Sequence, residues 1–205
     1  MAEVELDSMD SVQFDVLREI GNIGAGNATT ALSQMLNSKV DMNVPKIELL
    51  EFKDLSELIG GAENLVVGIL LTLEGSIDGM IMFILEKEPA HQIVNMLMAG
   101  LGDGSDCFTE MELSALQEIG NIIAGAYLNS LSTLTNLTIT SSVPYMAIDM
   151  AGAILSVPAI EFSKISDKAL LIETEFGNKG TEVNGYFILI PTLESYNTIL
   201  TSLGM

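Results

Sequence analysis

Two copies of one short polar pattern carry the residues of this chain that are best suited to chemistry. Residues 19–23 and residues 118–122 both read Glu-Ile-Gly-Asn-Ile, so the second copy begins 99 positions after the first (19 to 118). Glutamate and asparagine three positions apart share one face of a helix. A carboxylate can hold a cation or a partner's lysine, and an amide can orient a water molecule. The pattern therefore indicates a polar site that is present twice.

The same offset relates further residues on both sides of each pattern. Helical spacing adds one residue four positions before each glutamate and a glycine four positions after each asparagine. These positions lie off the apolar face, so we expect both stripes to reach solvent, and the final glycine would let another surface approach closely. The first stripe comprises Asp15, Glu19, Asn22 and Gly26, the second comprises Ser114, Glu118, Asn121 and Gly125, and Pro45 and Pro144 follow at equal distances.

An alternative interpretation is a solvated helix face that duplication alone keeps alike. Two observations favour a functional face over it. The prolines recur at the same distance, and each pattern contains a glycine, Gly21 or Gly120, that an ordinary exposed face would not need. Each glycine costs about 0.8–1 kcal/mol of helix stability relative to alanine.

Several other kinds of chemistry find little support. His91 is the only histidine and Cys107 the only cysteine, so neither two Ser-His-Asp triads nor a Cys/His zinc cluster can be built. The glycine-rich run 21–26 lies inside a helical pattern and is not the GxGxxG of dinucleotide sites. We therefore expect no metal or cofactor of the chain's own. Phosphoryl hydrolysis needs little beyond a water molecule held in line and stabilising charge nearby. If a partner protein brings its own metal and lysine, this chain need contribute only the asparagine amide that orients the water.

Composition restricts the partners and the compartment. The chain has 28 acidic and 8 basic residues and a formal net charge of −20. Without a Lys/Arg cluster it is a poor partner for nucleic acid, whereas a protein with a cationic patch would be attracted. No segment approaches the roughly 18 apolar residues that span a membrane, and the start has no signal-peptide pattern. We therefore expect a cytoplasmic protein without membrane insertion.

Each half of the chain predicts the same order of elements: a long helix, extended chain ending at the repeated proline, a short helix, a hairpin and a closing helix. The long helices are predicted from near Asp10 and over Glu110–Leu134, each opened by a capping box, Asp10/Gln13 and Thr109/Glu112. We expect one pseudo-symmetric body with repeats over residues 8–100 and 107–205, joined by a polar linker at 101–108. Further predictions are extended segments at 40–44, 46–52, 137–143 and 145–150, and hairpins of 65–73 with 81–85 and of 169–176 with 186–190. The second hairpin is predicted to turn at Asn178-Lys179-Gly180, with Asn184-Gly185 opening its return strand. Pro89 is predicted in a first helical turn and Thr192 as a helix cap.

The order of the site residues resembles a known signature. In both copies Asp or Ser is followed after three residues by Glu, after two more by Asn and after 22 more by Pro. This order is similar to the signature of the CheC/CheX/FliY family of bacterial chemotaxis phosphatases, and the resemblance covers essentially the whole chain. It implies an α/β fold with pseudo-two-fold symmetry. Two long site-bearing helices would pack on one face of a largely antiparallel sheet built from both halves.

The resemblance also implies an enzyme that dephosphorylates CheY-P, the phosphorylated chemotaxis response regulator. In the family, the asparagine enters the regulator's active site and orients the attacking water, and the glutamate engages the regulator's lysine. The regulator supplies the aspartyl phosphate and Mg²⁺. Carried over, Asn22 and Asn121 orient water, Glu19 and Glu118 dock the helices, Asp15 and Ser114 flank the sites, and Pro45 and Pro144 are structural.

A second partner implied by the resemblance is CheD, a receptor-modifying deamidase. The alternative function is a non-catalytic module that binds CheY or CheD and is related to the middle domain of the flagellar switch protein FliM; the intact Glu/Asn pairs argue against it. The sequence also predicts that the second site is the better ordered, because Ile123 stands where the first copy has Gly24 and glycine is the poorer helix former.

Overall fold

The computed structural model describes residues 11–36, 39–98, 107–162, 168–178 and 181–204. Within these residues, six helices and seven strands follow nearly the same order in the two halves of the chain. The first half contains α1 (Ser11–Leu36), β1 (Asp41–Glu51), α2 (Phe52–Leu58), β2 (Leu65–Gly75), β3 (Gly79–Glu86) and α3 (Lys87–Leu97). The second half contains α4 (Glu110–Thr135), β4 (Ile139–Ser141), β5 (Tyr145–Met150), α5 (Ala151–Phe162), β6 (Lys168–Asn178), β7 (Thr181–Pro191) and α6 (Leu193–Ser202).

The seven strands form one antiparallel sheet in which the two halves interleave. Its order is β1-β6-β7-β3-β2-β4, and β5 also pairs with β2. Strand β1 pairs with the hairpin of the second half, where Glu48 lies opposite Leu171. Strand β5 pairs with the hairpin of the first half, where Ile148 lies opposite Val67. The prediction of an antiparallel sheet built from both halves is therefore confirmed.

The sheet is covered on both faces, which gives the fold three layers. Successive residues of β3 point to opposite sides of the sheet. Ile81 and Phe83 pack in a cluster with α1 and α4, whereas Met82 and Ile84 pack in a second cluster with α2 and α5. The two long helices thus lie on one face of the sheet, as predicted. The central strands read as continuous apolar runs because both of their faces are buried.

Helix α4 begins at the predicted capping box. The backbone N–H of Glu112 donates to Thr109 Oγ1 over 3.3 Å, and Glu112 Oε2 accepts from the Thr109 N–H over 2.7 Å. Asn136 ends the helix in the left-handed region at φ 57°. Thr192 caps α6 by accepting from the Ser195 N–H, and Pro89 lies in the first turn of α3; both were predicted.

The two repeated prolines occupy different positions relative to the strands of their halves. Pro144 falls between β4 and β5, so the extended chain of the second half is divided as predicted. Pro45 lies inside β1, which continues from Asp41 to Glu51 with a register shift between Asn43 and Lys46. The prediction of two strands there was wrong. A proline is tolerated because β1 is an edge strand of the sheet and needs no donor on its outer side.

The return strand of the second hairpin begins earlier than predicted. Asn184 and Gly185 do not open the return strand but lie within β7, opposite Glu175 and Thr174. The pairing continues to Asn178 and Thr181, so β7 begins directly after the predicted turn at 178–180. Asp10, Gly100, the linker residues 101–106, residues 179–180 and the outer ends of both predicted repeats lie outside the described residues.

Candidate functional site

Both polar stripes lie on the solvent side of the long helices, as helical periodicity predicted. Seven of the eight residues are exposed and Gly125 is half-buried. The opposite side of each helix faces the sheet: Leu17 and Ile20 of α1 are buried in the same cluster as Leu116 and Ile119 of α4. These residues are related by the 99-position offset, so one packing scheme presents both stripes.

The proposed functional side chains are unengaged. Within the described part of the chain, no hydrogen bond or ion pair involves the side chains of Glu19, Asn22, Glu118 or Asn121. Each stripe therefore offers one carboxylate and one amide to an incoming surface, at no cost in intramolecular contacts. Added Cβ atoms at Gly26 and Gly125 would meet nothing within 4 Å, so the space beyond each asparagine is open.

Gly21 and Gly120 have a structural role that the sequence did not reveal. Both are buried on the sheet side of their helices. A Cβ on Gly120 would lie 2.6 Å from Ile69 Cδ1, and one on Gly21 would lie 3.3 Å from Ile47 Cδ1. The glycines let the helices approach the strands closely, so their presence in both copies is explained by packing. Using them as support for a functional face was therefore wrong.

Helices α1 and α4 also fix each other. Gly24 lies against the ring of Tyr127, where a Cβ would come within 2.9 Å of Tyr127 Cδ1. Asn27 Nδ2 donates to Ser130 Oγ over 3.1 Å. Ile123, the counterpart of Gly24, is fully buried. The close contact between the two helices therefore requires a glycine at position 24. Whether the second site is the better ordered is not tested by this contact and stays a prediction.

The two copies differ at the position just before the glutamate. Arg18 forms an ion pair with Asp15, one turn earlier on the same helix. Its counterpart Gln117 donates from Nε2 to the carbonyl oxygen of Pro144 over 2.7 Å. The first contact follows from i, i+3 spacing. The second joins residues 27 positions apart, and nothing local in the sequence indicates it.

The described residues form neither a metal-binding cluster nor a membrane-spanning helix. Among those described, no group of three or more His, Cys, Asp or Glu side chains is arranged to hold a metal ion. None of the described helices combines the length and the apolar character that crossing a bilayer requires. His91, the only histidine, stacks on Phe108 with ring centroids 3.9 Å apart.

Comparisons with known proteins converge on one family. The model of the CheC-like family matches residues 12–49 and 111–146, which contain both stripes and both prolines and begin 99 positions apart (12 to 111). The chain is 37% identical over 196 residues to the CheY-P phosphatase CheC of Bacillus subtilis strain 168, covering 94% of each chain.

Solved structures show the same fold. The crystal structure of FliY from Thermotoga maritima matches with a TM-score of 0.77 at 23% identity, over 96% of this chain and 98% of that one. The FliM middle domain from H. pylori matches with a TM-score of 0.65 at 12% identity, over 95% and 99%. The predicted α/β fold with two repeated segments is confirmed.

Proposed function

This chain belongs to the CheC-like family, and we propose on that premise that it hydrolyses the aspartyl phosphate of the phosphorylated chemotaxis response regulator CheY. One observation carries the proposal: an exposed, unengaged Glu/Asn pair occurs twice, at equivalent positions of two packed helices. Both pairs lie in the segments that match the family. Similarity over nearly the whole chain to a CheY-P phosphatase supports it further.

In the proposed mechanism, one site helix at a time docks on the regulator. Asn22 or Asn121 enters the phosphorylated site and holds a water in line with the bond to be broken. Positioning of this kind can supply several kcal/mol of rate enhancement, up to about 7–11 in favourable intramolecular cases. The open space beside Gly26 and Gly125 suits the close approach that a short amide side chain needs.

The two glutamates are proposed to orient the docked helix rather than to react. Glu19 and Glu118 are exposed carboxylates, and each would accept from a lysine of the regulator. The aspartyl phosphate and Mg²⁺ would both arrive with the regulator, so this chain would contribute no metal of its own. A net charge of −20 favours an encounter in which the regulator presents a cationic group.

We also propose, from the family resemblance, that the chain binds the deamidase CheD and works in the cytoplasm. Since the phosphatase stripes occupy only one side of α1 and α4, CheD and the regulator need not compete for the same residues. Measuring phosphate release with and without CheD tests that expectation.

A second candidate function is a binding module without catalysis. The similarity in fold to the FliM middle domain favours it, since one fold can serve several functions. The experiment that separates the candidates compares phosphate loss with binding. Mg²⁺-loaded phosphorylated CheY is mixed with this protein, and both inorganic phosphate release and complex formation are followed. Faster release supports the phosphatase, whereas binding with an unchanged release rate supports the module.

A further inference from the structure

Resting on the proposed function, we infer that Arg18 contacts the phosphoryl group of the regulator at the first site and supplies a positive charge that the second site lacks. Arg18 is the only arginine of the chain. It is also the only cationic residue in the sequences of α1 and α4. A protein with a net charge of −20 thus places its single guanidinium beside a proposed phosphate-directed asparagine.

The position of Arg18 on the helix suits this role. It precedes Asn22 by four positions, which corresponds to about 6 Å along the axis at 1.5 Å per residue. Residues with this spacing are neighbours on the helix surface. The Arg18 side chain is 55% exposed and is long enough to extend past the end of the shorter asparagine. When Asn22 is within reach of an attacking water, Arg18 can reach the phosphoryl oxygens.

The present partner of Arg18 is easily exchanged. Asp15 is on the same helix and its side chain is 64% exposed. Exposed ion pairs of this kind contribute about 0–1 kcal/mol. A phosphoryl group offers several charged oxygens that match the fork of a guanidinium and accept two hydrogen bonds at once. Asp15 therefore holds Arg18 near the stripe in the free protein without preventing its transfer.

Helix α4, which carries the second site, has no equivalent group at the matching position. Gln117 is neutral, half-buried and already bonded to the Pro144 carbonyl oxygen. Helix α4 has no lysine or arginine that could replace the charge. The two sites would then share a carboxylate and an amide but differ in electrostatics.

Arg18 would stabilise negative charge through hydrogen bonds and would form no covalent bond to the reacting atoms. The water oxygen bonds to phosphorus while the bond from phosphorus to the aspartyl oxygen breaks, and the aspartate leaves as a carboxylate. One water proton remains on the inorganic phosphate and the other passes to solvent. Negative charge spreads over the equatorial phosphoryl oxygens during this displacement, and an arginine contributed by a partner protein stabilises it.

The test uses variants in which one site is inactivated. In Asn121→Ala, where the first site alone would work, adding Arg18→Gln is expected to lower kcat/KM for phosphate loss from phosphorylated CheY about tenfold. Arg18→Lys should restore part of the loss, because it keeps the charge but not the fork. In Asn22→Ala, where the second site alone would work, Arg18→Gln should change nothing. The first site should also lose more activity than the second as salt is raised.

The outcomes separate this inference from the function on which it rests. If Asn121→Ala hydrolyses phosphorylated CheY and Arg18→Gln does not slow it, the role of Arg18 is overturned while the phosphatase function stands. If Arg18→Gln slows both single-site variants equally, the residue acts on the whole protein and the inference is equally overturned. If the wild-type protein never accelerates phosphate loss, the proposed function fails and the role of Arg18 fails with it.

Discussion

The side-chain amide of Gln117 donates a hydrogen bond to the carbonyl oxygen of Pro144 over 2.7 Å. It ties α4, one position before Glu118, to the gap between β4 and β5. The equivalent Arg18 pairs with Asp15 on its own helix instead. The hydrogen bond therefore attaches Pro144 to the site helix α4, and among the described residues Arg18 makes no such bond to Pro45 in the first copy.

Removing this bond should measurably destabilise the protein. We expect Gln117→Ala to lower the free energy of unfolding by about 0.5–1.5 kcal/mol, the usual contribution of one hydrogen bond. Arg18→Ala, at the equivalent position, breaks only an exposed ion pair and should cost about 0–1 kcal/mol. Urea unfolding of the two variants makes the comparison. A loss for Arg18→Ala that exceeds the loss for Gln117→Ala would contradict the bracing role of Gln117.

Two glycines of α4 should respond in opposite ways to the same added methyl group. In Gly120→Ala the new Cβ would lie 2.6 Å from Ile69 Cδ1, and Ile69 is fully buried. Overpacking of this kind costs about 1–3 kcal/mol. In Gly125→Ala the Cβ meets nothing within 4 Å, so the better helix propensity should stabilise by up to about 1 kcal/mol. Chemical denaturation measures both, and a Gly120→Ala protein as stable as the wild type would refute the packing explanation.

Burial raises the pKa of Tyr127 to about 12, and a hydrogen bond with the hydroxyl of Thr174 acts in the opposite direction. Above pH 10 the unfolded state loses this proton first. Stability that is fully present below pH 10 should therefore decrease as pH rises towards 12, by about 2–3 kcal/mol from this group. Tyr127→Phe should show a smaller decrease between pH 9 and pH 11.5 in urea unfolding. It should retain some, because burial also raises the pKa of Tyr186. An equal decrease in wild type and variant would contradict this prediction.

Local chemistry explains which elements the sequence predicted well. Helix α4 was placed to within one residue at each end, because Thr109 and Glu112 form a cap whose partners are three positions apart. The exposure of both stripes was likewise predictable, since it depends only on helical periodicity.

Features set by distant contacts were missed. Asn184-Gly185 has the composition of a hairpin turn, yet the pairing of β6 with β7 places it inside a strand. Gly120 was interpreted from helix propensity alone, because its contact with Ile69 joins residues in different halves of the chain. The partner of Gln117 could not be found either, because Pro144 lies 27 positions away in the sequence. The catalytic roles of the stripe residues stay predictions, since they depend on a partner protein.

The most direct test of the two-site phosphatase is the rate of phosphate loss from Mg²⁺-loaded, phosphorylated CheY. It is measured with the wild-type protein, Asn22→Ala, Asn121→Ala and the double variant. Asn184→Ala is the matched control, because Asn184 is exposed on β7 and belongs to neither site helix. We expect each single variant to keep part of the acceleration, the control to keep all of it, and the double variant to return to the rate of CheY alone. A double variant as fast as the wild type would contradict the central claim.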